Sequence, residues 1–177
     1  MATNETNLAN RQTSRAKWHE YNGGEYFVTI CTNNRIHYFG EIIDGTIKLT
    51  EIGEYLKTQI ENTEKIRDGD VEIPLYTIMP DHIHLIVSII PRRRDAPRAS
   101  DTPRASDTPN RFGQQSNNLA SIIRGIKCAV TKFARQNNIP FGWQQRYHDH
   151  IIRNQIEMNH ICRYIIDNPI KWMKNKN

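Results

Sequence analysis

The run from Val71 to Ile90 constrains this chain most. It reads VEIPLYTIM, then Pro80-Asp81, then HIHLIVSII. β-branched and aromatic residues fill both halves, and such residues suit a pleated, buried surface. A two-residue link is too short for a parallel crossover, so the halves are expected to pair as antiparallel neighbours. The second half carries two histidines. Successive strand side chains point to opposite faces, so His82 and His84 share one face while Ile83, Leu85 and Val87 take the other. Two imidazoles side by side at a strand start can share one metal ion.

Other elements fall around this pair. Tyr26 to Thr32 (YFVTICT) reads as a buried strand ended by Asn33-Asn34. Tyr38 to Ile43 and Thr46 to Leu49 flank Asp44-Gly45, a strong hairpin signal. Thr50 is a plausible N-cap for a helix whose Ile52, Tyr55, Leu56 and Ile60 recur at helical spacing. Leu119, Ile122, Ile123, Ile126, Val130 and Phe133 form the apolar stripe of a longer helix, with Arg124, Lys127, Lys132 and Arg135 on more polar faces. A fourth main strand is expected over about Gln144 to Ile152. A last helix is expected from about Asn154 to Ile166, ending at Asn168-Pro169, where proline blocks continuation or forces a kink.

Leaving out the small hairpin, this order is close to a ferredoxin-like arrangement. The fold class expected is α+β: an antiparallel sheet with two main helices on one face, plus a C-terminal helix. A chain of 177 residues suits one domain with a hydrophobic core. Residues 92–118 depart from that pattern. They are rich in Arg, Pro, Ser and Asp, and Arg98 to Pro103 recurs unchanged as Arg104 to Pro109. So short a repeat, with two prolines, cannot bury a core, so a disordered loop insertion is expected.

Charge and composition narrow the partners. The net charge is +5 and the pI about 9.2, a balance that suits phosphate contacts but is common among ordinary proteins. No apolar run is long enough to span a bilayer, and the polar N-terminus lacks the apolar stretch of a secretory signal. Cys31, Cys128 and Cys162 are odd in number and far apart, so a reducing, cytoplasmic setting is the simplest expectation.

Four groups could build one site: His82, His84, Tyr164 and Asn168. Tyr164 and Asn168 stand four apart, so on a continuous helix they face the same way. Each also has a plain structural reading: a lone HxH is often incidental, a helical tyrosine is usually packing, and Asn before Pro is often a helix stop. His148-Asp149-His150 is a competing pair in a more polar run, expected to face substrate or to be structural.

Taken together, the segments resemble the REP-associated tyrosine transposases, a branch of the single-tyrosine HUH transposases. The matching stretches are Glu25 to Thr32 with Arg35 and Phe39-Gly40; Met79 to Leu85 (MPDHIHL); Trp143 to Arg153 (WQQRYHDHIIR); and Tyr164 to Pro169 (YIIDNP). They occur in family order and cover roughly Trp18 to Trp172, apart from the repeat loop. HUH alone is a weak motif; all four stretches together are specific.

The resemblance implies a ferredoxin-like fold that binds hairpin DNA and cuts single-stranded DNA. His82 and His84 match the HUH pair, Tyr164 the nucleophile, and Asn168 the polar position that completes the metal site. The implied chemistry is transesterification through a 5′-phosphotyrosine, with Mg²⁺ or Mn²⁺ as cofactor. A phenol in water has a pKa of about 10, so roughly one in a thousand is ionised at neutral pH and assistance is needed. The partner would be single-stranded or hairpin DNA, and the protein a monomer or a homodimer. Trp18, Tyr21, Trp143 and Tyr147 could stack on unpaired bases, with core packing the other reading for Trp143. Arg11, Arg15 and Lys17 could reach a DNA groove. Two other readings stay open: a non-catalytic ferredoxin-like nucleic-acid-binding domain, and a hydrolytic metallonuclease using His148-Asp149-His150.

Overall fold

The computed structural model describes residues 23–90 and 118–174. The N-terminal positions singled out above (Arg11, Arg15, Lys17, Trp18, Tyr21) and nearly all of the 92–118 insertion lie outside the described residues. The insertion's last residue, Asn118, is described and is already the N-cap of the next helix.

The elements run β1 (Gly24–Cys31), a single 3-10 turn (Asn33–Arg35), β2 (Gly40–Ile43), β3 (Thr46–Leu49), α1 (Glu51–Ile66), β4 (Val71–Met79), β5 (His82–Ile89), α2 (Leu119–Gln136), β6 (His148–Ile152) and α3 (Gln155–Lys174). The main sheet has the order β4-β5-β1-β6, with every neighbour antiparallel. Setting aside the β2–β3 hairpin, this is the ferredoxin-like order expected from sequence.

β4 and β5 form the expected hairpin, with Met79 opposite His82 across Pro80-Asp81. β4 lies at the sheet edge. Pro74 accounts for this, because proline cannot donate to a second neighbour, and the register shifts between Glu72 and Leu75 around it. The Asp44-Gly45 turn is a two-residue loop with φ of 50° and 76°, the positive values that a type I′ hairpin requires. Thr50 caps α1, its hydroxyl accepting from the Gly53 N–H at 3.3 Å.

Strand alternation then divides the molecule into layers. Tyr26, Val28 and Ile30 of β1, with Ile83, Leu85 and Val87 of β5, pack on one face against Leu56 and Ile60 of α1 and Ile122, Ile126 and Val130 of α2. The opposite face carries Phe27, Ile86 and Ile152, covered by Met158, Ile161 and Ile165 of α3. His82 and His84 lie on this second face, at the end that α3 covers with its C-terminal half.

Two expectations about element bounds are corrected. β6 begins at His148 rather than near Gln144; upstream of it, Trp143 makes a single antiparallel bridge to Thr32. α3 does not end at Asn168-Pro169 but continues to Lys174 with Pro169 inside it. Contacts beyond the proline account for the continuation. Trp172 packs on His82 and His37, and Met173 Sδ accepts from the Gly45 N–H at 3.1 Å. These offset the one helix hydrogen bond that proline removes.

Candidate active site

The turn before β5 fixes the first histidine. The Asp81 carbonyl accepts from the Thr32 N–H at 2.9 Å and from its hydroxyl at 3.0 Å, and the Pro80 carbonyl accepts from the Phe39 N–H. Asp81 is therefore held buried beside His82. Its carboxylate takes a 2.6 Å contact from His82 Nδ1 and a 2.7 Å contact from Arg35 Nε. The adjoining His82 and then Arg35 keep the Asp81 carboxyl below the usual carboxylate range against the opposing effect of burial. A carboxylate can only accept, so Nδ1 of His82 donates, which leaves Nε2 of the neutral ring as the ligating nitrogen.

His84 is held in the same manner. Its Nδ1 lies 2.8 Å from Thr29 Oγ1, its cross-strand partner on β1. Burial, followed by the neighbouring His82 and Arg35, pushes its pKa down to about 3. His84 is thus neutral at pH 7, a poor proton acceptor and a ready ligand. The two Nε2 atoms lie 3.1 Å apart. Two nitrogens bound at right angles to one divalent ion, each roughly 2.1 Å from it, would stand about 3 Å apart. The donor set fits an ion: two aimed nitrogens, each oriented by an oxygen partner behind it.

α3 brings the other two residues. Tyr164 and Asn168 lie on one continuous helix, so their four-residue spacing does put them on the same side. The Tyr164 hydroxyl is 3.4 Å from His84 Nε2, and its ring packs edge-on against Phe27 and His84. Asn168 is 8% exposed, whereas Tyr164 is 44% exposed and so accessible to a substrate. Both line a cavity of about 600 Å³ together with His82, His84, Arg35 and Lys171. The cationic side chains at its wall suit an anionic ligand.

All four residues singled out from sequence therefore meet in one pocket. The competing pair does not. His148 lines the same cavity, but His150 is held by Glu157 at the start of α3, and Asp149 alternates to the other sheet face. Among the described residues, no cluster of three or more His, Cys, Asp or Glu side chains is placed to hold a metal, either in this run or around the His82–His84 pair. Trp143 is half-buried against the core, as its packing reading expected.

No family model matches the chain. An uncharacterized protein of Haemophilus influenzae is 35% identical over 171 residues, covering 96% of this chain and 93% of that one. The REP-associated tyrosine transposase of Escherichia coli K12 is 27% identical over 154 residues, covering 86% of this chain and 71% of that one. The solved structure of a REP-associated tyrosine transposase bound to a REP hairpin superposes with a TM-score of 0.57 at 22% identity, covering 90% of this chain and 74% of that one. The chain is thus similar in sequence to a REP-associated tyrosine transposase and shares its fold.

In this chain, Asp81, Thr29, Lys171 and Trp172 had no role assigned from sequence. Asp81 could have been singled out, since a carboxylate directly before a candidate metal-binding histidine is a common orienting partner. Lys171 and Trp172 could not, because Pro169 pointed to a helix that stopped short of them.

Proposed function

We propose that this protein is a DNA strand transferase that cleaves and rejoins single-stranded DNA beside a hairpin, with Tyr164 as nucleophile. One observation carries the reading. A solvent-accessible phenol sits 3.4 Å from one of two buried histidines whose Nε2 atoms converge at 3.1 Å. Similarity to a REP-associated tyrosine transposase, and the hairpin bound by the solved structural neighbour, support DNA as substrate.

The step is a transesterification. The Tyr164 hydroxyl gives up its proton as its oxygen bonds to phosphorus, the bond from phosphorus to the 3′-oxygen breaks, and the leaving 3′-oxygen takes up a proton, so none is gained or lost overall. One phosphoester replaces another, so the reverse step can join the stored 5′ end to another 3′-hydroxyl. His82, His84 and Asn168 would hold Mg²⁺ or Mn²⁺, with imidazole ligands favouring the softer Mn²⁺. When bound, such an ion supplies positive charge that polarises the scissile phosphate. Arg35, tethered through Nε by Asp81 and through Nη1 by Cys31 Sγ, lines the pocket as a cation that would attract a phosphate oxygen. Helix α3 fixes the Tyr164 backbone while its exposed ring retains room to turn toward phosphorus.

The test uses a labelled oligonucleotide bearing a hairpin and unpaired flanks, with Mn²⁺ or with chelator. A covalent protein–DNA adduct is expected with metal only, and Tyr164→Phe is expected to abolish it while leaving DNA binding intact. An undiminished adduct from Tyr164→Phe would reject the nucleophile.

A further inference from the structure

The segment from Trp143 to His148 separates two cavities. Gln144 and His148 line the catalytic pocket, whereas Trp143, Gln145 and Tyr147 line a second one of about 760 Å³. This second cavity follows the outer surface of α2, on the sheet side away from α3. Arg124, Lys127, Lys132 and Arg135 stand along it, and among the described residues no acidic side chain lines it. Its base is apolar, formed by Ile123 with the rings of Trp143 and Tyr147.

The base is also preset. Trp143 Nε1 donates to the Lys127 carbonyl at 3.2 Å, and Lys127 Nζ donates to the Gln144 carbonyl at 2.7 Å. The ammonium lies 5.8 Å from the Trp143 ring centroid, within cation–π range. Lys127 thus ties α2 to the backbone between the two cavities. A row of cations over an apolar, aromatic base matches an unpaired nucleic-acid strand, which presents phosphates on one side and base faces on the other. A duplex offers such a groove only phosphates, because its bases are stacked inside.

We propose that the α2 groove is a second DNA-binding site that holds unpaired DNA continuing from the reacting phosphate, the strand crossing over residues 144–148 on its way. The inference rests on single-stranded DNA being the substrate of the catalytic pocket, but it is read by a separate reporter. Cys128 is exposed and lines the groove, while Cys31 is buried.

The whole chain is alkylated with a maleimide, and modification of each cysteine is followed by peptide mass mapping. The probes are a hairpin with mixed-sequence unpaired flanks on both sides and a blunt hairpin with the same stem. Flanked DNA should slow Cys128 alkylation by about fivefold at saturation, and blunt DNA should not. The double reversal Lys132→Glu, Arg135→Glu should weaken flanked binding by about tenfold or more and leave blunt binding unchanged, with an unaltered melting temperature. Equal protection by both probes would overturn the single-strand assignment. Absence of protection by either, or binding of neither, would overturn the site. Adduct formation is scored in the same samples. Adduct without Cys128 protection rejects the groove alone, and protection without adduct rejects the role of Tyr164 alone.

Discussion

Asp81 has the greatest leverage on the site without touching substrate. It takes the Nδ1 proton of His82 with one carboxylate oxygen and Arg35 Nε with the other. Asp81→Asn keeps the shape but removes the charge that fixes the His82 tautomer. Mn²⁺ affinity, measured by titration calorimetry, is expected to fall by about 10- to 100-fold. An unchanged affinity would mean that the pair needs no orienting carboxylate. His84 makes a second prediction. Its folded pKa of about 3 lies below the ordinary histidine value of 6.5, so between those pH values the unfolded chain binds a proton that the folded chain does not. Stability therefore rises with pH through that window and is lost on acidification, by up to about 3 kcal/mol at pH 4 from this group. Urea melts in chelator at pH 7 and pH 4 should show this loss, and His84→Gln should show a smaller one. An equal loss in the variant would assign the acid sensitivity elsewhere.

At the scale of elements, close packing at one glycine sets α1 against the loop before the hairpin. A Cβ added at Gly53 would lie 2.2 Å from the Phe39 carbonyl oxygen, whereas one added at Gly125, in mid-α2, would meet nothing within 4 Å. Gly53→Ala is expected to destabilise by about 1–3 kcal/mol through overpacking. Gly125→Ala is expected to stabilise by up to about 1 kcal/mol through helix propensity. Thermal melts that moved in the same direction would contradict the distinction. The same scale shows what was legible in the sequence. Periodicity located α1, α2 and the β4–β5 hairpin because each buries a regular face; five of the six apolar positions expected on α2 are buried. The sixth, Phe133, is half-buried and stacks on Tyr55 at 4.0 Å between ring centroids. Pro169 misled about the end of α3, since local propensity carries no information about Trp172 reaching His82. β6 was over-extended because Gln144 and His148 line one cavity while Gln145 and Tyr147 line the other, a pattern that mimics a strand. The four site residues were legible as motif positions. Their meeting depended on β5 and α3 sharing one sheet face, which follows from topology rather than spacing.

Across the whole molecule, one chain supplies both halves of the site: the histidines from β5 and the tyrosine from α3. Cleavage is therefore expected in cis. Mixing His82→Ala with Tyr164→Phe protein should restore no adduct, while recovery of activity would show that the tyrosine is exchanged between two copies. The basic groove along α2 and the arginine and lysine at the catalytic pocket lie on opposite sides of one sheet, so DNA must pass an edge to engage both. Affinity for flanked hairpins should accordingly fall more steeply with salt than affinity for blunt ones, because more phosphates are neutralised. No helix among the described residues is long and apolar enough to cross a membrane. Tyr164 itself is expected to become joined to DNA. Digesting the adduct with nuclease and protease and sequencing the modified peptide by mass spectrometry tests it most directly. A nucleotide remnant is expected on Tyr164, attached through a 5′-phosphate. A remnant on any other residue, or a free 5′-phosphate product with no modified peptide, would contradict it.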